Sequence, residues 1–282
     1  MRELLSVAIA ILLGQMIYAQ EETQEVQPDL PVRAPFETSI LVDNHTVVSP
    51  LKGSLEFEIH HRFGVVTNGI TDIFGIYAPS NIRLGLNYGI TDKLMIGAGT
   101  TKDYKLQDFQ AKYAVIQQTR SGKVPVSVSL YGNMVIDARE EEAFGPAEQF
   151  RELHRFSYLY QLIVARKFSE KISLQAAPGF IYFNSVETGL KNSNFTIHAG
   201  GRAKITGSMA IIAEYNQMLT KQDTMQSKPG LSAGVEIGTA THCFQILMTN
   251  YSQIIGQRNL MYNTNEIGSG DFLLGFNITV RF

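Results

Sequence analysis

Apolar and polar residues alternate with a period of two through most of this chain. Segment 271–282 shows the pattern most clearly, because every second side chain from Phe272 to Phe282 is apolar. The intervening positions carry smaller or polar groups, among them Gly275, Asn277 and Arg281. Strict alternation over such a length predicts a β-strand with one apolar face.

Eleven further segments show the same alternation, which gives about twelve predicted strands. Four are clear: 53–63, 81–90, 171–183 and 194–205. Seven are weaker: 93–101, 106–118, 125–136, 155–168, 208–217, 229–238 and 241–251. Pro178 lies within one of these segments and cannot donate a ladder hydrogen bond, so we expect a β-bulge there.

The predicted connections alternate between short and long. Pairs such as Thr91-Asp92 and Ser169-Glu170 join some strands, whereas 64–80, 137–154 and 252–270 join others. Bacterial membrane barrels have short periplasmic turns and longer extracellular loops. We therefore predict an all-β fold, a transmembrane antiparallel up-and-down β-barrel of about twelve strands. The alternative is a soluble β-sandwich, but that fold does not require short turns at one end and long loops at the other.

The chain divides into three predicted regions. Residues 1–19 carry Arg2, a short apolar run and a cleavage-like Ile17-Tyr18-Ala19, which predicts a signal peptide cleaved near Ala19 and export to the bacterial outer membrane. Residues 20–52 read as a periplasmic N-terminal arm or a plug, and 53–282 form the barrel. Within the arm, 36–50 are compatible with a periplasmic arm, a lumen plug or an added strand.

Composition narrows the classes of partner. The net charge of −2 gives no basic footprint for nucleic acid, and the single cysteine, Cys243, excludes an intramolecular disulfide. The partners expected of such a barrel are outer-membrane lipid and lipopolysaccharide, the barrel-insertion machinery and a small solute. No cofactor is expected.

The inner face of the predicted barrel carries charges of both signs. This candidate lumen network comprises Glu56, Glu58, Arg62, Arg83, Lys112, His198, Arg202, Lys204, Glu214, Glu236 and Arg281. One interpretation is a narrow pore or a solute-binding cavity. The other is a plugged barrel with a structural, adhesion or assembly role, since buried charges require partners even without transport. Twelve strands lie between filled eight-stranded barrels and open sixteen-stranded ones.

The sequence gives little support for a catalytic site or a metal site. His60 and His61 are adjacent on a strand, so they face opposite sides and cannot chelate one metal. An outer-membrane lipase or esterase is a further alternative, but no G-x-S-x-G motif surrounds a strand serine. The strand serines are Ser127, Ser129, Ser157, Ser173 and Ser232.

Three loops invite specific hypotheses. The acidic loop 137–152 is either a cation or lipopolysaccharide contact or simply solvated. The apolar loop 65–79 is expected to constrict the barrel mouth or to pack on its outer rim. Loops 137–154 and 252–270 would form the contact surface of an adhesion or assembly partner.

Several segments resemble a known family. They are EFEIHHRFG (56–64), YAPSNIRLGLNYGITDKL (77–94), QTRSGKVPVSV (118–128), GGRAKI (200–205), GVEIGTATHCFQ (234–245), QRNLMYNTN (257–265) and FNITVRF (276–282). The chain resembles, over about 32–282, a domain-of-unknown-function family of Bacteroidota-type outer-membrane β-barrel proteins. The terminal Phe282 is also similar to the C-terminal signal of bacterial barrels. The resemblance implies compartment and fold, and it transfers no functional residue.

Overall fold

The computed structural model describes residues 29–282, so the predicted signal peptide lies outside the described residues. These residues form twelve strands: β1 (Leu55–Val65), β2 (Asn81–Gly89), β3 (Leu94–Thr101), β4 (Leu106–Ile116), β5 (Ser127–Asp137), β6 (Phe156–Lys167), β7 (Ile172–Phe183), β8 (Ser193–Lys204), β9 (Met209–Met218), β10 (Gly230–Gly238), β11 (His242–Thr249) and β12 (Leu273–Arg281). Each strand pairs antiparallel with the next, and β12 pairs with β1. The predicted barrel is thereby confirmed.

Because the sheet closes on itself, every strand has a hydrogen-bonding neighbour on both sides and no sheet edge remains. On β1 and β12, Ile59 lies opposite Ile278 and continues a ladder around the whole wall. Because lipid offers no hydrogen bonds, a membrane sheet has to close in this way. Every predicted segment overlaps one observed strand, since period-two alternation directly reports the two faces of a sheet.

The bulge expected at Pro178 is wrong. Gln161 pairs with Gly179 and Val164 with Ala176, so the register between β6 and β7 is the same on both sides of the proline. Pro178 itself keeps its place opposite Ile197 on β8. A strand residue directs its N–H to only one neighbour, so the proline removes one bond without shifting the ladder.

An apolar belt surrounds the outside of the barrel. Leu130, Phe195 and Ile246 are 52%, 64% and 67% exposed, although their neighbours along each strand point inward and are buried. An apolar surface that runs around the whole barrel is favourable in contact with lipid hydrocarbon and unfavourable in contact with water. None of the helices in the described part of the chain is long and apolar enough to cross a membrane.

Short turns lie at one end of the barrel and most long connections at the other. The longest connection, 250–272, contains helix α1 (Gly256–Tyr262). The expectation that loop 65–79 constricts the mouth or packs on the rim is wrong, because Ile70 and Tyr77 are 80% and 74% exposed. That loop folds back on its own base, where the Gly64 N–H donates to the Gly75 carbonyl at 2.9 Å.

Candidate functional site

The structure places the predicted lumen network on the inner wall. Lys204 and Arg281 are half-buried near the short-turn end, and the other nine side chains are buried. Three groups of contacts result, and residues of the N-terminal arm take part in joining them.

Residues 36–50 fold into a short hairpin inside the lumen, here called the plug hairpin. The Leu41 N–H donates to the Asn44 carbonyl at 2.9 Å, and the Thr46 N–H donates to the Ser39 carbonyl at 2.8 Å. Asp43 therefore lies at the tip. Leu41 is fully buried. Because the hairpin connects to β1 at the short-turn end, it enters the lumen from that side.

Glu214 on β9 holds the tip of the plug hairpin. Its carboxylate accepts hydrogen bonds from the backbone N–H groups of Val42 (2.9 Å), Asp43 (3.0 Å) and Asn44 (3.3 Å). The Asn44 side-chain amide adds a fourth bond at 2.9 Å. Successive N–H groups in a turn form a concave anion site, and charge-assisted bonds of this kind are stronger than neutral ones.

An ion pair with β1 also holds the tip. Arg62 Nη2 on β1 donates to Asp43 Oδ1 at 2.8 Å, and Arg62 Nη1 donates to Asn277 Oδ1 at 2.9 Å. The Ser232 hydroxyl on β10 donates to Asp43 Oδ2 at 3.1 Å. The Arg62 side chain has no exposed surface, so its charge depends on Asp43 for compensation.

Contacts to the plug hairpin come from almost the whole circumference of the wall. Lys112 Nζ, for example, donates to the Ser39 carbonyl at 3.3 Å and also to the Val48 carbonyl. The wall residues that hydrogen-bond to the hairpin or stack on it are Glu56, Glu58, Asn87, Gln110, Lys112, Tyr131, Gln161, Gln175, Arg202, Glu214, Asn216, Ser232, Gln245, Asn277 and Arg281, together with Arg62. These residues represent every strand except β3.

A second group of contacts stiffens the wall beside the hairpin. Arg83 on β2 makes a two-point pair with Asp108 on β4, at 2.9 and 2.7 Å, and reaches Glu58 at 3.1 Å. The sequence analysis omitted Asp108. Asp108 could have been found from the sequence, because it lies two positions before Gln110 and therefore shares the inner face of β4 with Gln110 and Lys112.

A third group lies at the short-turn end. Arg202 Nε donates to Glu236 at 2.6 Å, and Arg202 Nη2 donates to Glu37 of the hairpin at 3.1 Å. Arg281 donates to the Glu37 carbonyl at 2.5 Å. Both arginines therefore clamp the point at which the arm enters the barrel.

The opposite end of the lumen is covered by loop 250–272. Gln257 on α1 donates to Asn133 on β5 at 2.9 Å, while Leu260 and Met261 pack in one apolar cluster with Leu159. A cavity of about 30 Å³ separates the loop from the plug hairpin. Such a volume has room for about one or two water molecules. The described residues thus fill the middle of the lumen.

Nucleophile and metal arrangements do not arise within the described residues. Ser232 bonds to Asp43 and Thr249, and no strand serine there is hydrogen-bonded to a histidine. His60 faces the lumen while His61 stacks on Phe276 outside, as alternation requires. No group of three or more metal-ligating side chains is present in residues 29–282.

Comparisons with known proteins agree with the architecture. A family profile described as a membrane-bound beta barrel domain (DUF5777) matches residues 36–282. No curated protein matches the sequence.

Solved structures with a similar arrangement include the KdgM porin, at 8% identity and a TM-score of 0.48, with 81% of this chain and 98% of that chain covered. An outer membrane channel from Pseudomonas putida F1 shows 10% identity and a TM-score of 0.49, covering 83% of this chain and 97% of that one. The CymD monoaromatic hydrocarbon channel shows 9% identity and a TM-score of 0.41, covering 82% and 89%.

Proposed function

This chain belongs to the DUF5777 family of membrane-bound β-barrel domains, and we propose that it is a solute channel of the bacterial outer membrane whose resting state is closed by the plug hairpin. Lipid, lipopolysaccharide and the barrel-insertion machinery are its proposed partners, and a small solute is its cargo. The observation that carries the proposal is the hairpin of residues 36–50, which is bonded inside the lumen to Glu214 on β9, Arg62 on β1 and Lys112 on β4.

The chemistry of these contacts favours a removable plug. Glu214, Arg62 and Lys112 hold the hairpin through hydrogen bonds and ion pairs, which water can replace when the hairpin leaves. The wall behind it is mainly polar, with one apolar patch of Ala165, Ile212 and Leu247 that packs on Phe36, Leu41 and Val42 of the hairpin, so most of an emptied lumen would be stable when hydrated. An apolar plug packed on an apolar wall would instead leave a surface that water wets poorly.

The topology also gives the hairpin a way out. Residues 36–50 connect to β1 at the short-turn end, the proposed periplasmic side. Glu37 at the entry is held by Arg202 and Arg281, which are themselves near that rim. Withdrawal toward the periplasm therefore requires no strand of the barrel to separate.

Single-channel recording in planar bilayers tests the proposal. The wild-type barrel should remain closed for most of a recording, whereas Glu214→Ala should open frequently because the tip loses four hydrogen bonds. Asp108→Ala is the matched control, because Asp108 is an equally buried carboxylate whose bonds go to the wall residue Arg83, which does not contact the hairpin. A constantly open wild type would contradict closure by the hairpin.

A permanently plugged barrel with a structural or assembly role is the second candidate. It is favoured by the cover that loop 250–272 places over the opposite end of the lumen, with Gln257 bonded to Asn133. Persistent closure of a correctly folded Glu214→Ala barrel would support this role over transport. Heat-modifiable gel migration reports the folding of each variant.

A further inference from the structure

A second cavity, separate from the plug hairpin, opens at the long-loop end of the barrel. Its volume is about 540 Å³, which is in the range of small-molecule sites. The ends of β5, β6 and β7, the loop 138–155 and α1 surround it. We call it the vestibule cavity, and its lining includes Asp137, Arg139, Arg155, Arg258, Tyr104 and Tyr262.

Two of the three arginines in this lining already have partners within the protein. Arg139 makes a two-point pair with Asp137, with contacts of 2.9 and 2.7 Å. The hydrogen bond to Asp137 raises the pKa of Arg139 above its ordinary value, so the guanidinium stays charged. Arg155 donates to the backbone carbonyls of Asp137 and Arg139, at 3.0 and 2.5 Å, and pairs with Glu152 at 3.0 Å.

Arg258 on α1 is different, because most of its donors are unused. Its side chain is only 13% exposed, and Nε is buried without a hydrogen-bond partner in the described part of the chain. Its nearest carboxylate oxygen, on Asp137, is 3.8 Å away and is already bonded to Arg139. A guanidinium has five donors, and a buried one without a partner, such as this Nε, is unfavourable.

Two aromatic rings contact this guanidinium. The Arg258 Cζ atom lies 3.6 Å from the centroid of the Tyr104 ring and 5.0 Å from that of Tyr262. Burial raises the pKa of Tyr262, whose hydroxyl therefore stays neutral. These ring contacts hold Arg258 in place, and its Nη1 and Nη2 groups are the donors left to receive a carboxylate in two-point geometry.

We propose that the vestibule cavity binds a small ring-bearing carboxylate, with the carboxylate on the N–H edge of Arg258 and the ring against the aromatic side chains of the lining. Phe156, Phe183 and Phe144 provide apolar surface for either a planar aromatic ring or the C–H face of a sugar. Arg139 is paired with Asp137 and Arg155 with Glu152, so Arg258 is the lining arginine that has no carboxylate within hydrogen-bond distance in the described residues. The site does not depend on movement of the plug hairpin.

Isothermal titration calorimetry on the full-length barrel in detergent tests the site. Benzoate and glucuronate are the two probes, since one carries an aromatic ring and the other a sugar ring. Benzamide and methyl glucoside are their uncharged counterparts. At least one acid should bind, and its uncharged counterpart should bind about tenfold more weakly or not at all. The acid that binds identifies the ring class.

Substitutions assign the binding to Arg258. Arg258→Gln should weaken binding of the acid by about tenfold or more. The affinity of Arg258→Lys should lie between those of the wild type and Arg258→Gln, because lysine keeps the charge without the planar fork. Arg166→Gln is the control with the same charge change, since Arg166 lies on the exposed outer wall of β6 against Phe168. Gel migration and refolding yield verify that each variant is folded.

Two results would overturn the proposal. One is the absence of a heat of binding for both acids at millimolar concentration with a folded wild-type barrel, which would indicate that the cavity contains only water. The other is equal weakening by Arg258→Gln and Arg166→Gln, which would indicate attraction to net charge instead of a defined site.

Discussion

The ion pair between Asp43 and Arg62 provides the sharpest test of the closed barrel, because it joins the tip of the plug hairpin to the wall. Asp43→Asn keeps the shape of the side chain and removes its charge. The side chains of Arg62 and Asp43 are 0% and 3% exposed, and Arg62 Nε already lacks a partner in the described residues. Removing one member of a buried pair costs about 3–5 kcal/mol.

Most of this cost falls on the closed state. When the hairpin leaves, Arg62 lines a hydrated lumen and no longer depends on Asp43. Since about 1.4 kcal/mol corresponds to a factor of ten in an equilibrium constant, the open-to-closed ratio should rise by roughly 100-fold to several thousand-fold. The hydrogen bonds of Glu214 to the tip remain, so the hairpin should still close the lumen intermittently.

Asp108→Asn is the matched control for Asp43→Asn. Asp108 is also a buried aspartate paired with a buried arginine, Arg83, at 2.7 Å. Both members of that pair are on wall strands, and Arg83 keeps Glu58 at 3.1 Å after the substitution. The control should therefore lower the free energy of unfolding without raising the open probability.

Single-channel recording measures the open probability, and urea titration in lipid vesicles measures the free energy of unfolding. If Asp43→Asn and Asp108→Asn raise the open probability equally, the effect is a loosened barrel and the reasoning is refuted. If a folded Asp43→Asn barrel remains as closed as the wild type, the Asp43–Arg62 pair does not hold the hairpin in place.

Two further comparisons test the lipid belt and the fit of the plug. Ile246→Arg, on the outer face of β11, should destabilise the barrel by about 2–4 kcal/mol in vesicles; Ile70→Arg, which is also exposed but lies in a loop, should leave the urea midpoint unchanged. Gly200→Ala should raise the open probability, because a Cβ there would lie 2.7 Å from Leu41 of the hairpin; Gly201→Ala, facing outward to Leu174 at 2.6 Å, should not. Equal effects within either pair of variants would contradict the assignment.

The sequence also allowed two errors that have a common origin. The bulge expected at Pro178 treated a missing donor as a shift in register, although Gln161 still pairs with Gly179. The expectation for loop 65–79 treated apolar residues as residues that find cover, although Ile70 is 80% exposed. Each inference was drawn from the preference of a single residue type. The outcome depends instead on what the neighbouring strands and loops do.

The twelve strands and their two faces were determined by the sequence, because alternation is local and lipid imposes it on every strand. Glu58, Arg62 and Glu214 could therefore be assigned to the lumen before the structure was known. Their partners could not be assigned. Val42 and Glu214 are 172 positions apart, and residues 36–50 lack a period that would indicate their location. Only closure of the barrel creates a polar interior that makes a hairpin inside it stable, so the tertiary structure decided that this lumen is filled.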